Sequence, residues 1–175
     1  VGEWIQSDAA MNRHYEADTT TEIALKKTAS VMSFCCVAPA LWAKYPQNIV
    51  TYSRDFGKHL GLAFQFIDDV LDFSENSKKD FNLDLKNGLI NSVLYAWFTH
   101  HPDLWQRFVN GEEAADLFNS HQIEVALKEV ESKANHHLDQ ALELLDVLAR
   151  ELHNVKQEKL LPLRLIVDYL RNRRS

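Results

Sequence analysis

Apolar residues recur along this chain at alternating three- and four-residue steps, the spacing of one face of an α-helix. Residues 1–18 read as a short helical piece carrying Trp4, Ile5 and Met11, ending in polar residues around Asp18. Thr19 and Glu22 have capping-box spacing, with Thr19 as N-cap. The helix they start shows Ala24, Thr28, Val31, Cys35, Ala38 and Trp42 as a core-facing stripe, and Pro39 is expected to kink it. After the break at Pro46-Gln47-Asn48, a stripe of Ile49, Tyr52, Phe56, Leu60, Ala63, Ile67 and Val70 predicts a second long helix. Gly61 inside it costs roughly 1 kcal/mol relative to alanine, so close approach of another helix or of a ligand is expected there.

Residues 74–87 have no clear period and many turn formers, so they read as a loop. Helix resumes from Gly88 to His100, with Leu89, Val93, Ala96 and Trp97 on one face. Leu104-Trp105-Phe108 and Ala114-Ala115-Leu117-Phe118 are short amphipathic pieces. His121 to His153 predicts a long helix with Val125, Val130, Leu138, Leu142, Leu145 and Leu148 as its apolar positions. The last helix, Lys156 to Arg174, contains Pro162 and then Leu163, Ile166, Val167 and Leu170. No strand alternation, internal repeat, Gly-rich phosphate loop or Ser/His/Asp arrangement is present, so the fold class is all-α, a helical bundle forming one domain over 1–175.

Composition changes this picture little. The 46% apolar and 25% charged content of the 175 residues is ordinary for a globular chain, and five glycines and four prolines favour long helices with short connections. A net charge of −6 speaks against a general nucleic-acid binder. Arg171, Arg173 and Arg174 form a basic end that suits a solvated helix terminus or a phosphate contact equally. No unbroken apolar run reaches the ~18 residues of a membrane span, and no signal peptide is visible. Cys35 and Cys36 are adjacent on a helix and poor partners for each other, which points to a reducing compartment. The adjacent His136 and His137 diverge on a helix, which argues against a shared metal.

The chemistry concentrates in Gly61-Leu62-Ala63-Phe64-Gln65-Phe66-Ile67-Asp68-Asp69-Val70-Leu71-Asp72. On a helix, Gln65, Asp68, Asp69 and Asp72 fall on one side while Phe64, Ile67, Val70 and Leu71 cover much of the rest. Like charges stacked at i,i+4 repel, and apolar walls strengthen the repulsion. A hard divalent cation would relieve it, and magnesium is commonly held by one or two carboxylates plus water and phosphate oxygens. A solvated acidic face is the other explanation of such a cluster; Gln65 and the flanking phenylalanines weigh against it. Lys27 lies beside an apolar stripe, where a lysine ordinarily snorkels to water. Lys79 sits in the loop that follows the aspartates, where a mobile basic segment can close over an anionic ligand.

The segment GLAFQFIDDVLDF resembles the second aspartate-rich motif of the trans-isoprenyl diphosphate synthase (polyprenyl synthetase) family. Gly2-Glu3-Trp4-Ile5-Gln6 is similar to that family's GExxQ segment, Lys27-Thr28 to its KT pair, and Lys79 with Asp84-Leu85 to its GKxxGxDL loop, although Lys78 and Asn82 replace the two glycines. Its following GKxTLP segment is matched only at Gly88, so the lysine and proline are missing. The start Gly88-Leu89 and the run Val93-Leu94-Tyr95-Ala96-Trp97 look more like the long-chain, quinone-tail branch than the farnesyl branch. The resemblance spans essentially the whole chain and corresponds to the C-terminal half of an isoprenoid-synthase-type helical bundle.

The resemblance implies a prenyltransferase that condenses isopentenyl diphosphate with an allylic diphosphate to a polyprenyl diphosphate, dependent on Mg2+. It implies Asp68, Asp69 and Asp72 at the metal, with Asp69 as ligand or support, and Lys27, Gln65 and Lys79 at the substrate diphosphate. Thr28 and Gln65 belong to the reacting end by the same resemblance. It further implies a homodimer or a heteromer with a related subunit, no nucleic-acid partner and no transmembrane segment. The expected location is intracellular, cytoplasmic or organellar, mitochondria included. A non-catalytic partner subunit of a hetero-oligomeric synthase and a class I terpene cyclase are the alternatives. Because this half carries one aspartate cluster, the chain by itself is expected to be catalytically incomplete.

Overall fold

In the computed structural model, residues 1–73, 85, 87–119, 122–152 and 157–173 are described here. Helix α1 spans Gly2–Asn12, and α2 spans Thr19–Ala24. A π-helical turn, Leu25–Ala29, continues directly into α3, Ser30–Trp42. Helix α4 runs over Gln47–Leu71, α5 over Ser92–Thr99, α6 over Pro102–Val109 and α7 over Ala114–Leu117. Helix α8 covers Glu124–Glu151, and α9 covers Leu161–Asn172. Among the described residues there is no strand, so the all-α expectation holds.

Helix α4 organises the bundle. It packs against α3 and the π turn on one side, α8 on another, and also touches α9 and α5. Its predicted stripe is correct: Ile49, Phe56, Leu60 and Ala63 are buried, and Tyr52, Ile67 and Val70 are half-buried. Two apolar clusters result. One joins Phe66 and Leu62 to Trp97, Phe98, Phe108 and Val130; the other joins Phe56 and Leu60 to Leu138, Leu145 and Val167. Between them His59 on α4 meets His137 on α8, Nδ1 to Nδ1 at 2.9 Å, while His137 stacks on Phe66. Burial lowers both imidazole pKa values, that of His137 to about 4 with help from the His59 charge, so at neutral pH the pair shares one N–H between two neutral rings. The rings of the adjacent His136 and His137 lie 5.6 Å apart, closer than the expected divergence, and His137 also reaches across to another helix.

Several local expectations are corrected. Asp18, not Thr19, is the N-cap of α2, and the Thr19 hydroxyl accepts a hydrogen bond from the Glu16 N–H at 2.8 Å instead of capping forward. Pro162 lies in the first turn of α9, where its missing N–H costs nothing, and not inside the helix. The core face runs from Ala29 of the π turn to Val37 and Ala40 of α3, whereas Val31, Phe34, Leu41 and Trp42 face solvent, Trp42 being 90% exposed. The π turn explains the misassignment. It inserts an additional residue, so a stripe extended from Ala24 at α-helical spacing arrives on the wrong side. Val125 and Ile166 are likewise exposed. The Thr19–Trp42 stretch is 24 residues long with a mean hydropathy of 1.2 in its best window, which makes it the one helical span among the described residues long and apolar enough to cross a membrane. Glu22, Lys26 and Lys27 interrupt it, so it contains no unbroken apolar run of that length.

Gly61 has the close neighbour its position predicts. A methyl group built there would overlap the Ala29 backbone of the π turn and lie 3.0 Å from the Ala29 methyl. Overlap with backbone costs up to about 3 kcal/mol, against a propensity gain of about 1 kcal/mol for alanine. Gly61→Ala should therefore lower the unfolding free energy by about 2 kcal/mol in a urea titration. An equal or higher value would show that α4 and the π turn separate freely.

Candidate functional site

Three segments meet where α4 approaches its C-terminal end. The π turn widens the α2–α3 helix and presents Lys27 and Thr28 toward α4. Such bulges are frequent at functional sites because they turn one side chain out of the helical register. The second segment is α4 itself, with Gln65, Asp68 and Asp69, followed by Asp72 at its C-cap. The third is the start of α5, reached through a turn in which Gly88 has φ +68°. Buried Tyr15 fixes that turn: its hydroxyl donates to the Gly88 carbonyl at 3.1 Å and accepts from the Ile90 N–H at 3.2 Å.

A hydrogen-bond relay ties the three together. The Thr28 hydroxyl donates to Gln65 Oε1 at 2.6 Å, and Gln65 Nε2 donates to Asp69 Oδ1 at 3.0 Å. Asp69 Oδ2 accepts from the Ser92 N–H at 2.9 Å. Asp69 is 7% exposed. Its burial raises the carboxyl pKa above the ordinary range, an effect larger than the opposing pull of the Gln65 and Ser92 hydrogen bonds. Asp68 and Asp72 are less deeply placed than Asp69. They are half-buried and face separate donors: Arg173 Nη1 reaches Asp68 Oδ1 at 2.7 Å, and Asn91 Nδ2 reaches Asp72 Oδ2 at 3.2 Å. Arg173 also lies over the Phe64 ring, 5.6 Å from its centre. Lys27 Nζ is held by Gln6 Oε1 and Glu3 Oε1, each at 3.0 Å.

Gln6, Lys27, Gln65, Asp69, Asp72 and Asn91 line a cavity of about 130 Å³, with Leu89 and Leu94 as its apolar wall. A larger cleft of about 390 Å³ lies between α4, α8 and α9, lined by Glu131, Asn135, Arg171 and Arg173 among apolar side chains, and none of the aspartates opens onto it. The smaller cavity is the better candidate, because a lysine, three amides and two carboxylates open onto one space. Among the described residues no three His, Cys, Asp or Glu side chains form a preassembled metal cage. Two half-exposed carboxylates nevertheless fit a hard cation that completes its shell with phosphate oxygens.

Of the residues singled out in the sequence, Lys27, Thr28, Gln65, Asp69 and Asp72 are brought together, and Asp68 stands at their edge. Lys79 and Asp84 lie outside the described residues. Asn91, Tyr15 and Arg173 were not assigned to the site from sequence. Nothing in the pattern signals Tyr15; the basic C-terminus was a signal for Arg173 without an address.

The fold and this site define a class: an isoprenoid-synthase-type bundle in which an aspartate-rich helix faces a lysine-bearing turn. A family profile described as Polyprenyl synthetase matches residues 1–129, and the chain belongs to that family. It is 46% identical over 82 residues to a probable hexaprenyl pyrophosphate synthase, mitochondrial, of Yarrowia lipolytica, covering 45% of this chain and 18% of that protein. It is 29% identical over 160 residues to solanesyl-diphosphate synthase 1, mitochondrial, of Oryza sativa subsp. japonica, covering 85% of this chain and 36% of that one. The heptaprenyl diphosphate synthase of Staphylococcus aureus superposes with a TM-score of 0.79 at 23% identity, covering 99% of this chain and 56% of that one, which shows the shared fold. The chain thus spans about half the length of that solved relative and less of the two curated ones.

The raised pKa of Asp69 has a sign that can be measured. Below the ordinary carboxyl range both folded and unfolded chains hold the proton. As pH rises past about 4 the unfolded chain releases it first, so the stability this group contributes is full at low pH and falls as pH rises toward its folded pKa. The wild type should therefore lose stability, measured as unfolding free energy, relative to Asp69→Asn as pH rises above the ordinary carboxyl range. A flat difference would show that Asp69 titrates normally.

Proposed function

We propose that this chain contributes the second aspartate-rich site of a trans-prenyltransferase that extends an allylic diphosphate with isopentenyl diphosphate to a long polyprenyl diphosphate. The observation that carries the proposal is the convergence of Lys27, Gln65, Asp72 and Asn91 on one cavity, built from segments that match the family's motifs in order. The long-chain product class is supported by the hexaprenyl and solanesyl names of the relatives. Their mitochondrial designations support an organellar location.

Mg2+ supplies positive charge to a substrate diphosphate, which lowers the barrier to breaking the allylic carbon–oxygen bond. In this proposal Asp68 and Asp72 are the carboxylates that hold it, and Asp69 supports them from behind through its own hydrogen bonds. Arg173 donates to Asp68 Oδ1 in this structure, and would release that oxygen if Asp68 were to hold a metal. Lys27 is pre-positioned by Glu3 and Gln6 to contact the leaving diphosphate. Thr28 and Gln65 fix the α4 face against the π turn, so the donor groups need no reorganisation as charge develops. Lys79 is proposed as a second diphosphate contact from the following loop.

The chain is proposed to be the C-terminal part of the catalytic bundle and to work with further helices. Val31, Phe34, Leu41 and Trp42 on α3, and Leu161, Leu165, Ile166 and Tyr169 on α9, are exposed large apolar side chains on two helix faces. Such faces are sites of association. A homodimer or a heteromer with a related subunit would cover them.

Isothermal titration with inorganic pyrophosphate should show binding that depends on Mg2+, and Asp68→Ala should abolish the metal dependence while leaving the melting temperature equal or higher. Equal affinity with and without Mg2+ would contradict the metal assignment. If the variant melts several degrees lower and still binds, the aspartates are structural.

A further inference from the structure

The side chain of Asn91 performs two tasks with its two ends. Its Oδ1 accepts from the Leu94 N–H at 3.0 Å, which caps α5. That bond fixes the amide orientation, because only the oxygen can accept. Nδ2 must then face α4, and its two hydrogens have two acceptors there: the Asp69 carbonyl at 3.3 Å and Asp72 Oδ2 at 3.2 Å. The backbone turn ahead of Asn91 is itself pinned by Tyr15, and the N–H of the next residue holds Asp69 Oδ2. The start of α5 therefore determines where two carboxylates of α4 point.

We propose that Asn91 is a positioning residue that holds Asp72 toward the cavity for metal–diphosphate binding. The proposal rests on the function assigned to the site above. Asp72 is the C-cap of α4, and the Asn91 amide reaches its carboxylate from the start of the next helix. A neutral amide donor is suited to this task. It restrains one oxygen of Asp72 without neutralising the charge a cation needs, whereas an arginine at that place, like Arg173 on Asp68, competes with the cation.

Asn91→Ser separates the two tasks. Serine keeps an oxygen for the Leu94 N–H but has no donor that reaches Asp72, while Asn91→Ala removes both. One readout is a double-mutant cycle on urea midpoints with Asn91→Ser, Asp72→Ala and the double variant; the other is calorimetric titration with Mg2+ and inorganic pyrophosphate. The expected result is a non-zero coupling in the cycle and about tenfold weaker Mg2+-dependent pyrophosphate binding in Asn91→Ser, the size of one hydrogen bond to a charged group. Asn91→Ser should lower the midpoint modestly, by the loss of its two bonds to the end of α4, whereas Asn91→Ala should lower it further and weaken binding as well. If Asn91→Ser matches wild type in both readouts, Asn91 is only a helix cap and the proposal is overturned. If the wild type binds no Mg2+-pyrophosphate, the assigned function fails and the positioning role with it. The cycle then shows separately whether the Asn91–Asp72 contact exists.

Discussion

The arrangement of this site depends on a carboxylate that is almost wholly buried. Asp69 is taken out of water at a cost that is supportable only if both its oxygens are hydrogen-bonded. Its two donors come from different parts of the chain, the Gln65 side chain one turn earlier on α4 and the Ser92 N–H at the start of α5. Gln65 can serve Asp69 in this orientation because its other end accepts from Thr28 on the π turn. One buried acid thereby fixes the relation of three segments that apolar packing alone would leave free to slide, and Phe66, Leu94 and Trp97 close the core beside it.

A consequence is that three aspartates adjacent in sequence have different work. Asp69 points inward and is consumed by structure. Asp68 and Asp72 stay half-exposed, with Arg173 donating to the first and Asn91 to the second, contacts that a cation could replace or accompany. Three carboxylates sharing one face would repel strongly in a low dielectric; turning one inward and meeting the other two with Arg173 and Asn91 removes most of that conflict. The same logic holds Lys27, whose ammonium is tethered by Glu3 and Gln6 at the rim of the cavity rather than wandering in solvent.

Much of this was legible in the chain. The α4 stripe, the long α8 and the aspartate run appear as period and composition, and Gly61 announced a close neighbour that proves to be Ala29. What stayed hidden has physical reasons. The π turn adds a residue that no propensity pattern marks, so the apolar face of α3 was placed on the wrong side, with Trp42 and Val31 in solvent. That helix is apolar around most of its circumference, and periodicity cannot say which face the chain itself will cover. Asn91 carries no site signal in the sequence, and only the fold shows it reaching Asp72. Arg173 is more than a hundred positions from Asp68, a pairing that local sequence cannot express.

The central claim is the division of labour among the aspartates, and crystallography with a scattering metal tests it most directly. Crystals of this chain grown with Mn2+ and inorganic pyrophosphate should show an anomalous peak in contact with Asp68 and Asp72, with Asp69 still bonded to Gln65 and the Ser92 N–H. A metal bound to Asp69, or a pyrophosphate bound with no metal at the aspartates, would contradict the account.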